Sequence, residues 1–142
     1  MSSICDLKNI SNEFFNLHWP LQKNSGPQPT WIRWEPFLRG SAPNYKLGGC
    51  YALFSREELI YVGVGVAKGR GSTLYHGISR RLSGHVLRID RYENEFQFYK
   101  LTDKWTDATD IYTIGFSNEI EYLALALEEF LIRKLSPIKN LR

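Results

Sequence analysis

The 142-residue sequence predicts a mixed domain, α/β or α+β, in which a small sheet is flanked by helices. Three observations carry this expectation. Segments 49–54 (GCYALF) and 59–64 (LIYVGV) have the apolar, β-branched and aromatic composition of a strand hairpin. Segments 3–17 and about 119–135 repeat apolar residues at helical spacing. Two further strand-like segments, 94–101 and 111–116, lie before the second of these helices.

The elements follow in order. Ile4, Leu7, Ile10, Phe14 and Leu17 mark the first helix, with Ser2 or Ser3 as its N-cap and Trp19-Pro20 as its end. Residues 20–48 hold five of the six prolines, which opposes regular structure. Trp31, Trp34 and Phe37 imply that this extension packs on the domain. In the hairpin, the turn Ser55-Arg56-Glu57-Glu58 joins the strands, and a register symmetric about Arg56 would set Tyr51 directly opposite Tyr61. A glycine-bearing loop covers 65–76. Residues 78–89 read as an amphipathic helix, with Ile78, Leu82, Val86 and Ile89 on one side and Arg80, Arg81 and Arg88 elsewhere; Gly84 weakens it. The later segments 94–101 and 111–116 both read as short strands. Asn118, with Glu121 three residues on, is the expected cap of the long helix, and Pro137 its stop.

The composition excludes several classes. Hydrophobic residues make up 43% and charged residues 23%, which is globular rather than disordered or fibrous. Cys5 and Cys50 form neither a disulfide framework nor a zinc set. There is no apolar run of membrane-spanning length and no secretory signal, so no membrane association and a reducing cytoplasm are expected. The net charge is only +3, but it is unevenly spread. Residues 63–91 carry Lys68, Arg70, Arg80, Arg81, Arg88 and Arg91 against Asp90 alone, and 131–142 carry four bases and no acid. Two such clusters matter for anionic partners only if they meet in space.

Glu128 is the most informative residue. On a helical wheel it shares a face with Ala124, Leu125, Leu131, Ile132 and Leu135, inside the apolar stripe. A buried carboxylate needs a cation, a donor or a proton. The alternative is that it sits at the edge of the stripe and reaches water, as Glu121 also can. Arg81 and His85, four apart, share a helix face, joining a phosphate-binding fork to a group that titrates near neutrality. Tyr51 and Tyr61 can be simple sheet packing, and Asn140 a turn residue. The glycines at 63, 65, 69 and 71 match neither the dinucleotide fingerprint nor a P-loop, and there is no nucleophile elbow or histidine metal cluster.

Together these residues resemble the GIY-YIG nuclease family. Gly49-Cys50-Tyr51 is similar to its first name motif and Tyr61-Val62-Gly63 to its second, with the tyrosines ten apart. The family's helical arginine corresponds to Arg81, with Arg80 as a neighbouring candidate, and His85 to the histidine some members carry four residues later. Glu128, twelve residues before Asn140, is similar to the metal-binding glutamate and the asparagine after it. The resemblance covers 48–140, giving a nuclease-like domain at 48–142 and an N-terminal helix with a Pro/Trp-rich extension at 1–47.

The resemblance implies an α+β fold with a three-stranded antiparallel sheet, made of the hairpin and one later strand, 94–101 being favoured over 111–116, and a Mg²⁺- or Mn²⁺-dependent endonuclease acting on DNA. Glu128 would hold the metal, Tyr51 would deprotonate the attacking water with His85 as helper or as the base itself, Arg81 would neutralise the phosphate, Tyr61 would position groups, and Asn140 would orient a tyrosine or substrate. Lys68, Arg70, Arg80 and Arg88 are the candidate nucleic-acid contacts. The loop Ala67–Gly77 is longer than in compact members and suits a restriction-type enzyme; repair and mobile-element roles share the same motifs. A homodimer would place two sites for two strands. The competing expectations are a non-catalytic nucleic-acid-binding module on the same scaffold, and an interaction domain built on the tryptophans of the extension.

Overall fold

The computed structural model describes residues 1–19, 26–66 and 76–140. The fold is α+β. Helix α1 spans Ile4–His18. Ser3 caps it: its Oγ accepts from the Asp6 N–H, and the Asp6 carboxylate accepts from the Ser3 N–H at 2.8 Å. The proline-rich segment that follows is not wholly irregular, because Ile32–Arg33 forms a short strand, β1. The hairpin is β2 (Gly48–Ser55) and β3 (Glu58–Gly65). Helix α2 (Gly77–His85) comes next, then β4 (Leu87–Glu93), β5 (Phe96–Leu101), β6 (Asp110–Phe116) and helix α3 (Tyr122–Leu135).

The main sheet is antiparallel with strand order β1-β6-β2-β3, four strands rather than three. The partner added to the hairpin is β6, not segment 94–101. The reason lies in burial on both faces: Ile111, Thr113, Ile114 and Phe116 are all buried, as a central strand requires. Segment 96–101 instead pairs with β4 in a separate two-stranded ribbon.

That ribbon also corrects the helix expected over 78–89. The helix ends at His85. The Trp105 indole N–H donates to the His85 carbonyl at 3.1 Å, and the Thr102 N–H donates to the Val86 carbonyl at 2.9 Å. Carbonyls at a helix C-terminus need such donors. Arg88 and Ile89 therefore stand on a strand, both exposed.

The two faces of the sheet build two cores. Cys50, Ala52, Phe54 and Val62 face α1 and α3, whose Leu7, Phe14, Leu123 and Leu127 cover them. Tyr51, Leu53 and Ile111 face α2, through Ile78 and Leu82, together with Trp34 and Trp105. Trp31 and Trp34 are both buried, so the tryptophans of the extension complete the domain and do not form an exposed interaction surface. The Trp31 indole N–H donates to Ser11 Oγ at 2.8 Å, and that hydroxyl donates to the Leu7 carbonyl at 2.7 Å.

Helix α3 begins later than expected. A 3₁₀ turn over Asn118–Ile120 precedes it, and neither Asn118 nor Glu121 makes a side-chain cap. It ends at Ser136, which is left-handed at φ 45°, just before Pro137. Cys5 and Cys50 are free thiols. Among the described residues, no helix is long and apolar enough to cross a membrane.

Candidate functional site

Five of the candidate residues, Tyr51, Tyr61, Arg81, His85 and Glu128, come together near the β3 edge of the main sheet, between α2 on one face and α3 on the other. The hairpin register sets the tyrosines. Arg56, left-handed at φ 57°, starts a two-residue turn with Glu57, and an extra residue at Ile60 bulges the strand. Tyr51 is consequently opposite Gly63, and Tyr61 opposite Leu53. The expected direct pairing of the two tyrosines is replaced by a diagonal one on the same face, with ring centroids 6.2 Å apart.

Gly63 matters for this arrangement because the Tyr51 ring lies across it; a Cβ there would collide with the ring's Cζ and hydroxyl. Gly65 and Gly77 do the same for the backbone. Each lies so close to the other's carbonyl that a Cβ on either would clash, which lets the start of α2 abut the end of β3. That approach brings Arg81 to the site, its Cβ packed against Gly65.

The Tyr51 hydroxyl lies 3.3 Å from His85 Nδ1. The His85 ring also packs against Tyr61, at 5.8 Å, and Trp105, at 5.5 Å. Tyr51 is fully buried, whereas Tyr61, His85 and Glu128 are half-buried and Arg81 is exposed.

Electrostatics tie the group together. Burial pushes the Tyr51 phenol well up, Tyr61 adds to the rise, and Arg81 opposes it through charge and hydrogen bonding. Burial also raises Tyr61, helped by the negative charge of Glu128 and opposed by Arg81. The same Glu128 charge raises Tyr51 and Cys50, although burial dominates at both. Glu128 and Arg81, on different helices, therefore act on both phenols. His85 moves the other way: burial lowers it below the usual imidazole range, and the positive charges of Arg81 and Lys104 lower it further, so at pH 7 the ring is neutral.

Glu128 sits at the edge of the α3 stripe, whose buried line is Leu123, Ala124, Leu127 and Leu131. Leu125, one turn earlier, lines a cleft of about 470 Å³ together with Val64, Gly65, Gly77, Arg80 and Arg81. Arg80 reaches back over the cleft, its guanidinium 3.4 Å from the Val66 carbonyl.

Asn140 does not enter the cleft. Its Oδ1 accepts from the Val62 N–H at 2.8 Å, and its Nδ2 donates to the Val62 carbonyl at 2.9 Å. Both ends of the amide are thus spent on the outer edge of β3, next to Tyr61, so Asn140 holds the strand that carries the tyrosine. Arg88 lies outside the cleft, on β4. Lys68 and Arg70 lie outside the described residues.

The structure adds residues that the motifs did not mark. Trp105 is fully buried beneath Tyr61, with centroids 4.7 Å apart, and beneath His85. Lys104 and Lys139 sit 5.1 and 5.3 Å from its ring centroid. The only sequence sign was an isolated tryptophan within a polar stretch, 102–110.

Among the described residues, no three His, Cys, Asp or Glu side chains cluster as a metal cage. The Glu128 carboxylate, one turn along α3 from a cleft lined by Arg80 and Arg81, has the oxygen chemistry that a hard divalent ion of the Mg²⁺ kind takes. Comparison with protein-family models, with characterised proteins and with solved structures returned no match for this chain.

Proposed function

We propose that this protein is a divalent-metal-dependent endonuclease that hydrolyses DNA phosphodiester bonds to leave a 5′-phosphate. The observation that carries the reading is the cluster at one sheet edge of Tyr51, 3.3 Å from His85, and Tyr61, its ring 6.2 Å from that of Tyr51, with Arg81 and Glu128 of the two flanking helices near enough to act on both phenols. Structural packing alone does not require a cation and a carboxylate from two helices to act on the same pair of phenols. The motif resemblance and the basic cleft support the same reading.

Hydrolysis needs a water stripped of its proton, charge stabilisation on phosphorus and help for the leaving 3′ oxygen. Glu128 would hold Mg²⁺ or Mn²⁺, which supplies Lewis-acid stabilisation of the phosphate and the leaving oxygen. Arg81, exposed in the cleft, balances the charge that builds on the phosphate. His85 takes the water's proton: it is neutral and half-buried, whereas Tyr51 is sealed from solvent and burial pushes its phenol well up, so that it stays protonated. The Tyr51 hydroxyl, 3.3 Å from Nδ1, holds the imidazole in place, and the base role belongs to the tautomer that leaves Nε2 unprotonated. Tyr61, half-buried against the rings of Tyr51, His85 and Trp105, would position groups through its hydroxyl.

The test is incubation of the purified protein with supercoiled and linear DNA, with and without Mg²⁺. The expected result is nicking or cutting that requires the metal and is lost in Glu128→Ala, while the melting temperature and DNA affinity of that variant stay within error of the parent. Metal-independent or absent cleavage by the parent, or normal cutting by Glu128→Ala, refutes the proposal; binding without cutting identifies a non-catalytic DNA module instead. Sedimentation of the protein–DNA complex determines whether a homodimer delivers two sites.

A further inference from the structure

We infer that the solvent-facing side of the β4–β5 ribbon is a second DNA-binding surface, which grips the phosphate backbone of the duplex beside the cleft. The inference rests on the nuclease reading for the identity of its partner, and on the ribbon's own geometry for the site.

The pairing register sorts the ribbon into two faces. Leu87, Leu101 and Tyr99 turn inward and join the core beneath Trp34. Arg88, Arg91, Phe98 and Lys100 turn outward, with Arg88 directly opposite Lys100 and Arg91 opposite Phe98. Residue Arg39 extends this face, because it bridges to Phe98 along the other edge of β5, where the Tyr99 N–H donates to the Leu38 carbonyl and the Gly40 N–H to the Gln97 carbonyl. Phe98 lies between two guanidiniums, Arg91 at 4.3 Å and Arg39 at 5.2 Å from its ring centroid.

Arg91 is neutralised by Asp90 and Glu93. Arg39, Arg88 and Lys100 are exposed and form no ion pair among the described residues. Like charges directly opposed across two strands sit ~4.5–5.5 Å apart at Cβ and oppose pairing. The ribbon thus keeps an arrangement that is unfavourable in isolation and becomes favourable when a polyanion bridges the pair. Its position fits the same partner. Strand β4 starts two residues after His85, so the basic track of α2 continues into the ribbon. Seven residues of strand cover ~23 Å, comparable to about seven base-pair steps of duplex.

The experiment measures binding of a fluorescent 25-bp duplex by anisotropy in EDTA, from 50 to 200 mM salt, so that cleavage plays no part. Removal of three phosphate contacts lowers the slope of log K against log salt by about 2.7, which is about 40-fold less affinity lost across that salt range. The expected result is this change for Arg39→Gln/Arg88→Gln/Lys100→Gln, and about two thirds of it for Arg88→Gln/Lys100→Gln, which leaves the Arg39 stacking intact. Arg39→Lys/Arg88→Lys should retain the parental slope. Lys8→Gln/Arg56→Gln removes equal charge to the double variant elsewhere and should leave the slope unchanged. A parental slope in the double and triple variants, an equal fall in the control, or no parental binding overturns the inference. Parental binding without Mg²⁺-dependent cutting refutes the nuclease reading alone, and cutting with an unchanged slope in the variants refutes the ribbon alone.

Discussion

Two glycines separate packing from flexibility, and they give the sharpest test of the site's construction. At Gly63, a Cβ would lie well inside van der Waals contact of three atoms at the end of the Tyr51 ring. That ring is fully buried between the sheet and α2, so it must be displaced into an occupied core. Overpacking of this kind costs ~1–3 kcal/mol. Displacement also breaks the Tyr51–His85 hydrogen bond, worth ~1 kcal/mol. Gly63→Ala should therefore lose about 2–4 kcal/mol of unfolding free energy in urea. Gly84, inside α2, has nothing within 4 Å of the same construction. Gly84→Ala should gain up to ~1 kcal/mol from helix propensity. Tyr51→Val removes the obstacle, so Gly63→Ala should cost at least ~1 kcal/mol less in that background. An equal cost in both backgrounds, or equal effects of the two glycine substitutions, would refute the view that Gly63 exists to seat the tyrosine.

Three further outcomes follow from the same geometry. Asn140→Ala deletes both hydrogen bonds on Val62 and should cost about 1–3 kcal/mol in urea unfolding, with Asn140→Asp retaining the half that accepts from the N–H. Ser11→Ala strands the buried Trp31 indole N–H and should cost ~1–3 kcal/mol, read from the same denaturation curves. If His85 accepts the proton, kcat/KM for DNA cleavage should be constant near pH 7 and fall only below pH ~6.5, because the group must be deprotonated to act and its pKa is lowered by burial, Arg81 and Lys104. Lys104→Gln should move that acid limb upward, and His85→Ala should reduce the rate ~10²–10⁴-fold.

What the sequence disclosed follows from where the causes lie. Helices α1 and α3 and the hairpin were legible because their periodicity and composition are local. The end of α2 was not: Ile78, Leu82, Val86 and Ile89 continue a helical period, and the groups that stop it, Trp105 and Thr102, lie 20 and 16 residues from the carbonyls they bind. The register was missed for a similar reason, since the bulge at Ile60 changes no residue type. Segments 94–101 and 111–116 both read as strands, and only burial on both faces distinguished the central one. In the candidate site, the tyrosines, Arg81, His85 and Glu128 were singled out by type and spacing, which can be read in the chain without its register. The job of Asn140 was not, because an amide bound to a strand edge and an amide facing a substrate leave the same letter in the chain.

The strand order has a consequence for biosynthesis. The fragment Ile32–Arg33 and the hairpin leave the ribosome well before residues 110–116, which must then slot between them as the innermost ribbon of the sheet. Two strands alone are marginal in water, and long-range pairing is slow to form. Until residues 110–116 arrive, neither side of the sheet can close over its core, so the nascent hairpin carries open apolar edges while the intervening segment is made. Open edges of this kind favour aggregation, which is therefore most competitive with folding in that interval.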